Sequence, residues 1–302
     1  MLVSGASGFT GPYINDALKK RSFIVIGSSS SKGGALNAFD DWVEFDIRSK
    51  EQTFKAIESL RPTHIIHLAG ISFVGHSVLE DFYTVNVLGT ENLLWSVVES
   101  GIDVENILIS SSANVYGSPE NDCKLTEDSD VSPQNHYAIS KFAAERVGLN
   151  YSKKLPIIIA RPFNYIGSGQ NDQFVIPKIV SAFARGDKII DLGDITVSRD
   201  FSSVVDTVDA YAKLLDAKLN SGETFNVCSG RPTCLQDVIE LMNQIAGYSI
   251  KVTRNPDFIR ANEIKSLYGL NDKLKSVIDW CPVNDLRDIL EKMYLDYKAS
   301  SA

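Results

Sequence analysis

Tyr137 and Lys141 stand four residues apart in the stretch NHYAISKFAAE, a spacing that puts both side chains on one face of a helix. A free tyrosine titrates near 10 and exchanges protons poorly at neutral pH. An ammonium one turn away favours the phenolate and draws that value toward the working range. The pair reads as a proton-transfer device, and Lys141 can also reach the ribose of a nicotinamide nucleotide. Such a pair alone is common on solvated helix faces, so its neighbours matter. Ser112 closes the serine run of ILISSSANVYG, ahead of Tyr137 in the chain. A hydroxyl there can hydrogen-bond a carbonyl oxygen and steady the charge that develops on it. Ser110 and Ser111 read as strand packing behind it.

A second set of residues points to a dinucleotide. SGASGFTGPYI places Gly5, Gly8 and Gly11 between a first strand and a first helix, with Phe9 and Thr10 in the same turn. Glycines permit the tight turn and let backbone N–H groups approach a pyrophosphate at the helix N-terminus. At the end of the second strand, GSSSSKGG offers Ser28, Ser29 and Ser30 as donors and Lys32 as a cation, with no acid before Asp40. An acid there would hold the ribose hydroxyls of NAD and repel a 2′-phosphate, so charge favours NADPH, with NADH as the alternative. Asp46 and Ile47 end the third strand, where the carboxylate can accept from an adenine amine. Leu68, Ala69 and Gly70 end the fourth, where the cofactor can lie against the backbone.

These residues need a frame. The first half alternates apolar strand cores (FIVIG, THIIHLAG, NILISSS, PIIIARP) with helical stretches such as KEQTFKAIESL and YAISKFAAERVGLNYS. That pattern predicts an α/β fold: a Rossmann-type doubly wound parallel sheet covered on both faces. The run DFYTVNVLGTENLLWSVVES reads as one long helix, and MLVS as a very short first strand. After Arg161-Pro162 longer loops set in, a strand-like ETFNVCSG returns, and the tail reads as mostly helical. Residues 1–162 plus about 192–227 are expected to form the NADP-binding domain. Residues 163–191 plus 228–302 would make a smaller mixed α/β lobe for the substrate.

Composition narrows the partners. At 302 residues the chain can bury a large core, and its net charge of −8 argues against a nucleic-acid backbone or anionic membrane as main partner. No apolar run approaches the roughly 20 residues that span a bilayer, and no secretory leader opens the sequence, so a cytoplasmic location is expected. Cys123, Cys228, Cys234 and Cys281 form no CxxC pair and suit reduced thiols. His64 and His67, three apart on a strand, would point to opposite faces, so no metal site is expected.

The glycine spacing, the serine of SSSANVYG and the Tyr137–Lys141 pair together resemble the extended short-chain dehydrogenase/reductase family, which mostly works on nucleotide sugars. NVLGTENLL, RPFN and a late RDF extend the resemblance over nearly the whole chain. Within that family, RPFNYIGSGQNDQFVIPKIV, LGDITVSRDFSSVVDTVDAYAKLL and GETFNVCSG are most similar to GDP-4-keto-6-deoxy-D-mannose reductases. The resemblance implies NADPH-dependent reduction of the C4 ketone to give GDP-D-rhamnose. It also implies that Asn164 and Val175 touch the sugar or diphosphate and that Lys178 lies near the guanine or its phosphates. Arg199 and Arg260 would clamp phosphate and ribose, and Glu263 would accept from ribose hydroxyls. The family usually has proline after that last arginine; Ala261 stands here.

Related 4,6-dehydratases carry a glutamate where Asn114 stands, and the epimerase-reductases that make GDP-fucose carry a cysteine there plus a histidine before a VIP segment. This chain has Asn114 and Phe174. Neither can abstract a carbon-bound proton, which leaves hydride transfer without elimination or epimerisation. Three alternatives stay open: hydride delivery to the opposite face (GDP-6-deoxy-D-talose), a UDP-hexose 4-epimerase, and a non-enzymatic NADP sensor. The family's equivalents of the helices DFYTVNVLGTENLLWSVVES and HYAISKFAAERVGLNYSKK pair between subunits, implying a homodimer through a four-helix bundle.

Overall fold

Leu2 and Val3 are fully buried on opposite faces of the main sheet, so the first strand lies between two cores. The structure is a computed structural model that describes residues 1–31, 38–119, 124–258 and 264–300. Six strands open the fold: β1 (Leu2–Ser4), β2 (Ile26–Ser29), β3 (Asp41–Glu44), β4 (His64–His67), β5 (Asn106–Ser110) and β6 (Ile157–Pro162). With β10 (Glu223–Val227) they form a seven-stranded parallel sheet in the order β10-β6-β5-β4-β1-β2-β3. The order reverses at β1, and in open parallel sheets ligands bind outside the strand ends at such a switch point.

Helices cover both faces, which is why the strands read as continuous apolar runs. On one side α1 (Thr10–Lys19) and α7 (Val204–Asp216) bury Ile14, Leu18, Val208 and Leu214 against Val3, Ile66 and Leu108. On the other, α2 (Lys50–Leu60) and α4 (Gly89–Glu99) bury Ile57, Leu93, Leu94 and Val97 against Leu2, Ile65 and Ile107. The catalytic-candidate helix α5 (His136–Tyr151) lies on this second side, packed on α4.

The expected long helix at 81–100 is interrupted. α3 (Leu79–Tyr83) passes into a π-helical turn at Thr84–Leu88 before α4 begins. The turn presents Asn86, whose amide accepts from the Ile71 N–H at 2.7 Å and donates to the Ile71 carbonyl at 3.2 Å. Side-chain pairing to a loop backbone is a tertiary event, and helical periodicity carries no mark of it.

The remaining strands depart furthest from the sequence reading. β9 (Ser198–Ser203) is the hub of a second sheet, pairing with β7 (Asn164–Ile166) and β13 (Ser266–Leu267) in parallel and β11 (Pro232–Cys234) antiparallel. β8 (Ile189–Leu192) pairs with β12 (Lys251–Arg254). In the tail from Leu235 they add only β12 and β13, and that segment is mostly helical as expected. These strands are short and rich in Ser, Asp and Arg, so apolar alternation does not announce them. Beside them α6 (Val175–Arg185), α8 (Leu235–Ala246) and α10 (Leu286–Ser300) bury Ile179, Phe183, Val238, Met242, Leu290 and Met293 in a separate core. The short α9 (Asp272–Ile278) returns Leu274 to the first core. Among the described residues, no helix is long and apolar enough to cross a membrane, and no cluster of three ligand-type side chains could hold a metal ion.

Candidate active site

The glycine turn is shaped by steric necessity at two of its three glycines. Gly5 sits at φ +73°, and a Cβ there would lie 2.6 Å from the Ala69 backbone. A Cβ on Gly11 would fall 1.8 Å from the Ala6 carbonyl oxygen, so only glycine lets α1 pack on the turn. At Gly8 the nearest atom would be 3.3 Å away, and this glycine lines the crevice instead. α1 starts without a side-chain cap, leaving first-turn N–H groups unpaired by side chains. A backbone cradle of this kind fits a dinucleotide pyrophosphate. Phe9 stacks on Tyr165 at 6.1 Å, and the Thr10 and Tyr165 hydroxyls share a hydrogen bond at 2.9 Å.

The crevice continues as one cavity of about 1160 Å³ running from this turn to α6 and β9. Ser28, Ser29 and Ser30 line it at the end of β2, but Ser28 donates inward to the Val3 carbonyl at 3.4 Å and Ser29 donates to the Ser31 carbonyl. Lys32 lies outside the described residues. Asp46 also lines the cavity, and it is already engaged. Arg48 Nη2 donates to its carboxylate at 2.7 Å and Nε at 3.0 Å, which holds the carboxyl below the usual range. Arg48 was not singled out by sequence, since nothing in the periodicity marks it. Ile47 is a core residue whose carbonyl accepts from Asn92 at 2.9 Å. Leu68, Ala69 and Gly70 line the wall at the end of β4, and a Cβ on Gly70 would meet Asn86 at 2.9 Å and Lys141 Nζ at 3.4 Å.

The expected constellation does assemble. Asn135 caps α5 by accepting from the Ala138 N–H at 2.9 Å, which fixes Tyr137 in the first turn. Tyr137, Lys141 and Glu145 follow one another down a single buried helix face. Ser112 caps a 3₁₀ turn over Ala113–Tyr116 and hydrogen-bonds the Tyr137 phenol. Asn114 donates its amide to the Ser112 oxygen at 3.2 Å, a donation that an ionised carboxylate could not make. Below them Glu145 accepts from Arg161 Nε at 2.9 Å and Nη2 at 2.7 Å, and from the Ser111 hydroxyl. This pair is almost wholly buried and ties α5 to β6. Ser110 shares a hydrogen bond with the Tyr211 phenol at 3.2 Å.

The electrostatics differ from the sequence expectation. Burial pushes the Tyr137 phenol up to about 12, with the Ser112 hydrogen bond acting in the opposite direction. Lys141 does not acidify it, because its ammonium donates to the Ser110 carbonyl at 2.6 Å and is itself pushed down to about 8 by burial, against the pull of Glu145. The correction has a simple cause: removing water penalises phenolate and ammonium alike. His67 is held neutral, pushed down to about 3 by burial and by the Lys141 charge, between Ser4 at 2.7 Å and Thr90 at 3.0 Å.

At the far end Asn164 and Val175 line the cavity. Lys178 donates to the Asp191 carbonyl at 2.8 Å with its ammonium 3.9 Å from the centre of the Phe258 ring. Arg199 lines the wall from β9, donating to the Ser198 carbonyl at 2.8 Å. Its neighbour Asp200 is fully buried and accepts from Ser229 and Gly230 backbone N–H groups at 2.7 and 2.8 Å, anchoring that strand. Arg260 and Glu263 lie outside the described residues. The residues that sequence reasoning missed, Arg48 and Phe73 on loops, Asn86 on the π turn, Tyr165 on β7 and Phe258 on a 3₁₀ turn, take their places only through tertiary pairing.

A glycine turn and a buried Tyr–Lys pair opening onto the switch point of a doubly wound sheet place the protein among Rossmann-type dinucleotide-binding proteins. The chain belongs to the NAD dependent epimerase/dehydratase family, whose pattern matches residues 1–228. It is 35% identical over 300 residues to the GDP-6-deoxy-D-talose 4-dehydrogenase of Aggregatibacter actinomycetemcomitans, covering 97% of this chain and 96% of that protein. It is 34% identical over 248 residues to the GDP-6-deoxy-D-mannose reductase of Pseudomonas aeruginosa, covering 79% and 81%. The structure of RMD from Pseudomonas aeruginosa complexed with NADPH superposes with a TM-score of 0.85 at 29% identity, covering 99% of both chains.

Proposed function

We propose that the protein reduces the C4 ketone of GDP-4-keto-6-deoxy-D-mannose with NADPH to give GDP-D-rhamnose. The observation that carries this reading is the convergence of Ser112, Tyr137 and Lys141 on one cavity that runs from the glycine turn to Lys178 and Arg199. Asn114 and Phe174 on the same walls supply no base for elimination or epimerisation.

The dinucleotide, when bound, supplies the hydride. The glycine turn and the α1 N-terminus would hold its pyrophosphate, and Lys141 its ribose. Tyr137 keeps its proton at neutral pH because burial raises its pKa, so the phenol is a donor ready for an alkoxide. Ser112, steadied by Asn114, polarises the ketone oxygen from the other side. Lys178 and Arg199 present cations to the nucleotide end. In this reading residues 1–162 with α7, β10 and α9 hold the dinucleotide, and the remaining elements, β9 included, form the sugar-nucleotide lobe.

A second reading, delivery to the opposite face to give GDP-6-deoxy-D-talose, draws support from the Aggregatibacter relative, which aligns along 97% of this chain. One experiment separates them. Incubation with GDP-4-keto-6-deoxy-D-mannose and NADPH or NADH, followed by NMR assignment of C4, is expected to show the rhamno configuration with NADPH preferred. A talo product, or no NADPH consumption, overturns the reading. A homodimer through α4 and α5 and a cytoplasmic location belong to the same proposal. Leu88 and Ile139, 53% and 39% exposed beside and on those helices, favour the dimer.

A further inference from the structure

An aromatic pair crosses the cavity between the two lobes. The Phe73 and Phe174 rings meet edge to face, centroids 5.7 Å apart at 81°, and both line the cavity together with Val74 and Val175. Phe73 comes from the loop after β4, and Phe174 is the residue that caps α6. Neither ring arrives there by chance of an open loop. The His76 N–H donates to the Phe73 carbonyl at 3.0 Å, closing a turn whose Gly75 leaves room for the ring, since a Cβ there would sit 2.8 Å from Phe73. His76 is pinned in turn to Asp81 at 2.7 Å and to the Phe82 ring at 5.7 Å. Phe82 then touches Tyr137, with ring centroids 6.3 Å apart. On the other side, the Lys178 N–H donates to the Phe174 carbonyl at 2.9 Å, one helical turn on. The pair therefore borders the stretch of cavity between the phenol and the nucleotide-end cation.

We propose that Phe73 and Phe174 form the wall that selects a sugar deoxygenated at C6. This rests on the functional reading above, which puts C4 against Tyr137 and the nucleotide toward Lys178. C6 is two bonds from C4, so a sugar held at both points brings its C6 substituent to the intervening wall. The side chains of Phe73, Val74, Phe174 and Val175 offer neither donor nor acceptor, and the polar side chains of Ser72 and Gln173 line the cavity on either side of them. Beside them, the Asn171 side-chain oxygen already accepts from the Gln173 N–H at 2.8 Å. A methyl group is buried favourably against such a surface, whereas a hydroxyl loses its water without gaining a partner. Apolar pockets reject an added hydroxyl by at most about 100-fold, which bounds the effect.

The test compares GDP-6-deoxy-D-mannose with GDP-D-mannose, which differ only in the oxygen on C6. Dissociation constants are measured with NADP⁺ saturating, for wild type, Phe174→Leu, Phe174→Ser and Phe73→Ser, with folding followed by circular dichroism. Wild type and Phe174→Leu should prefer the deoxy sugar by about 10- to 100-fold. Phe174→Ser and Phe73→Ser should narrow that preference to below about 3-fold, through weaker deoxy-sugar binding with mannose binding held or improved. Equal binding of both sugars by wild type, or serine variants that keep the full preference or weaken both sugars equally, overturns the assignment and leaves the reductase reading standing. If wild type binds neither GDP-sugar, the functional reading itself fails, and this inference with it.

Discussion

The Lys141 ammonium donates to the main-chain carbonyl of Ser110 at 2.6 Å, so the cation of the candidate site is held by the strand that leads to Ser112. Buried there, with His67 neutral on one side and Glu145 one turn below, Lys141 is pushed down to about 8, whereas Tyr137 is pushed up to about 12. The first group to lose a proton as pH rises is therefore the lysine. If its ammonium is needed, kcat/KM for reduction falls above about pH 8. Replacing Glu145 with Gln removes the charge that raises the lysine's pKa, so the alkaline limb should move to lower pH. Measurement of kcat/KM from pH 6 to 10 in both proteins checks this, and coincident limbs would rule it out.

Tyr137→Phe removes the only proton that the phenol can give. A lost general acid costs about 10²- to 10⁴-fold in rate, with NADPH affinity retained. Stopped-flow hydride transfer beside a cofactor titration distinguishes this from misfolding. A protein that only senses the dinucleotide would show no such split.

Gly8 and Gly11 should fail in different ways. Alanine at Gly11 drives a Cβ to 1.8 Å from the Ala6 carbonyl oxygen, so α1 must shift and stability should fall by about 2 kcal/mol or more. Alanine at Gly8 meets nothing closer than 3.3 Å and should leave stability within about 1 kcal/mol while weakening dinucleotide binding at least about tenfold. Urea denaturation and fluorescence titration of the two variants report the contrast.

His67 should set part of the acid stability. Its folded value of about 3 lies below the ordinary 6.5, so between those limits the unfolded chain binds a proton that the folded protein refuses. Its contribution is complete above about pH 6.5 and is lost as pH falls toward 3, by up to about 1.4 kcal/mol per pH unit. His67→Gln should flatten urea midpoints between pH 6 and 4. An unchanged slope would show that other groups dominate there.

Much of the site was readable from residue types and spacing. The glycine triplet, the serine-ended strand and the Tyr137–Lys141 spacing are local patterns whose physics is local: a turn that needs no Cβ, a strand end, and one turn of helix. The parallel sheet was legible as well, because burial on both faces forces strands such as PIIIARP to be apolar throughout. Asn114 and Phe174, neither of which ionises, are the residues on which the proposal against elimination rests.

What the sequence could not determine depends on which distant residues meet. The π turn that aims Asn86 at Ile71, the polar strands paired through β9, the Arg48 clamp on Asp46 and the Phe73–Phe174 contact all join segments with no mutual periodicity. The protonation of the site was likewise beyond it. Spacing brings an amine near a phenol, but burial, a property of the whole packed chain, decides that Tyr137 holds its proton while Lys141 is pressed to release one.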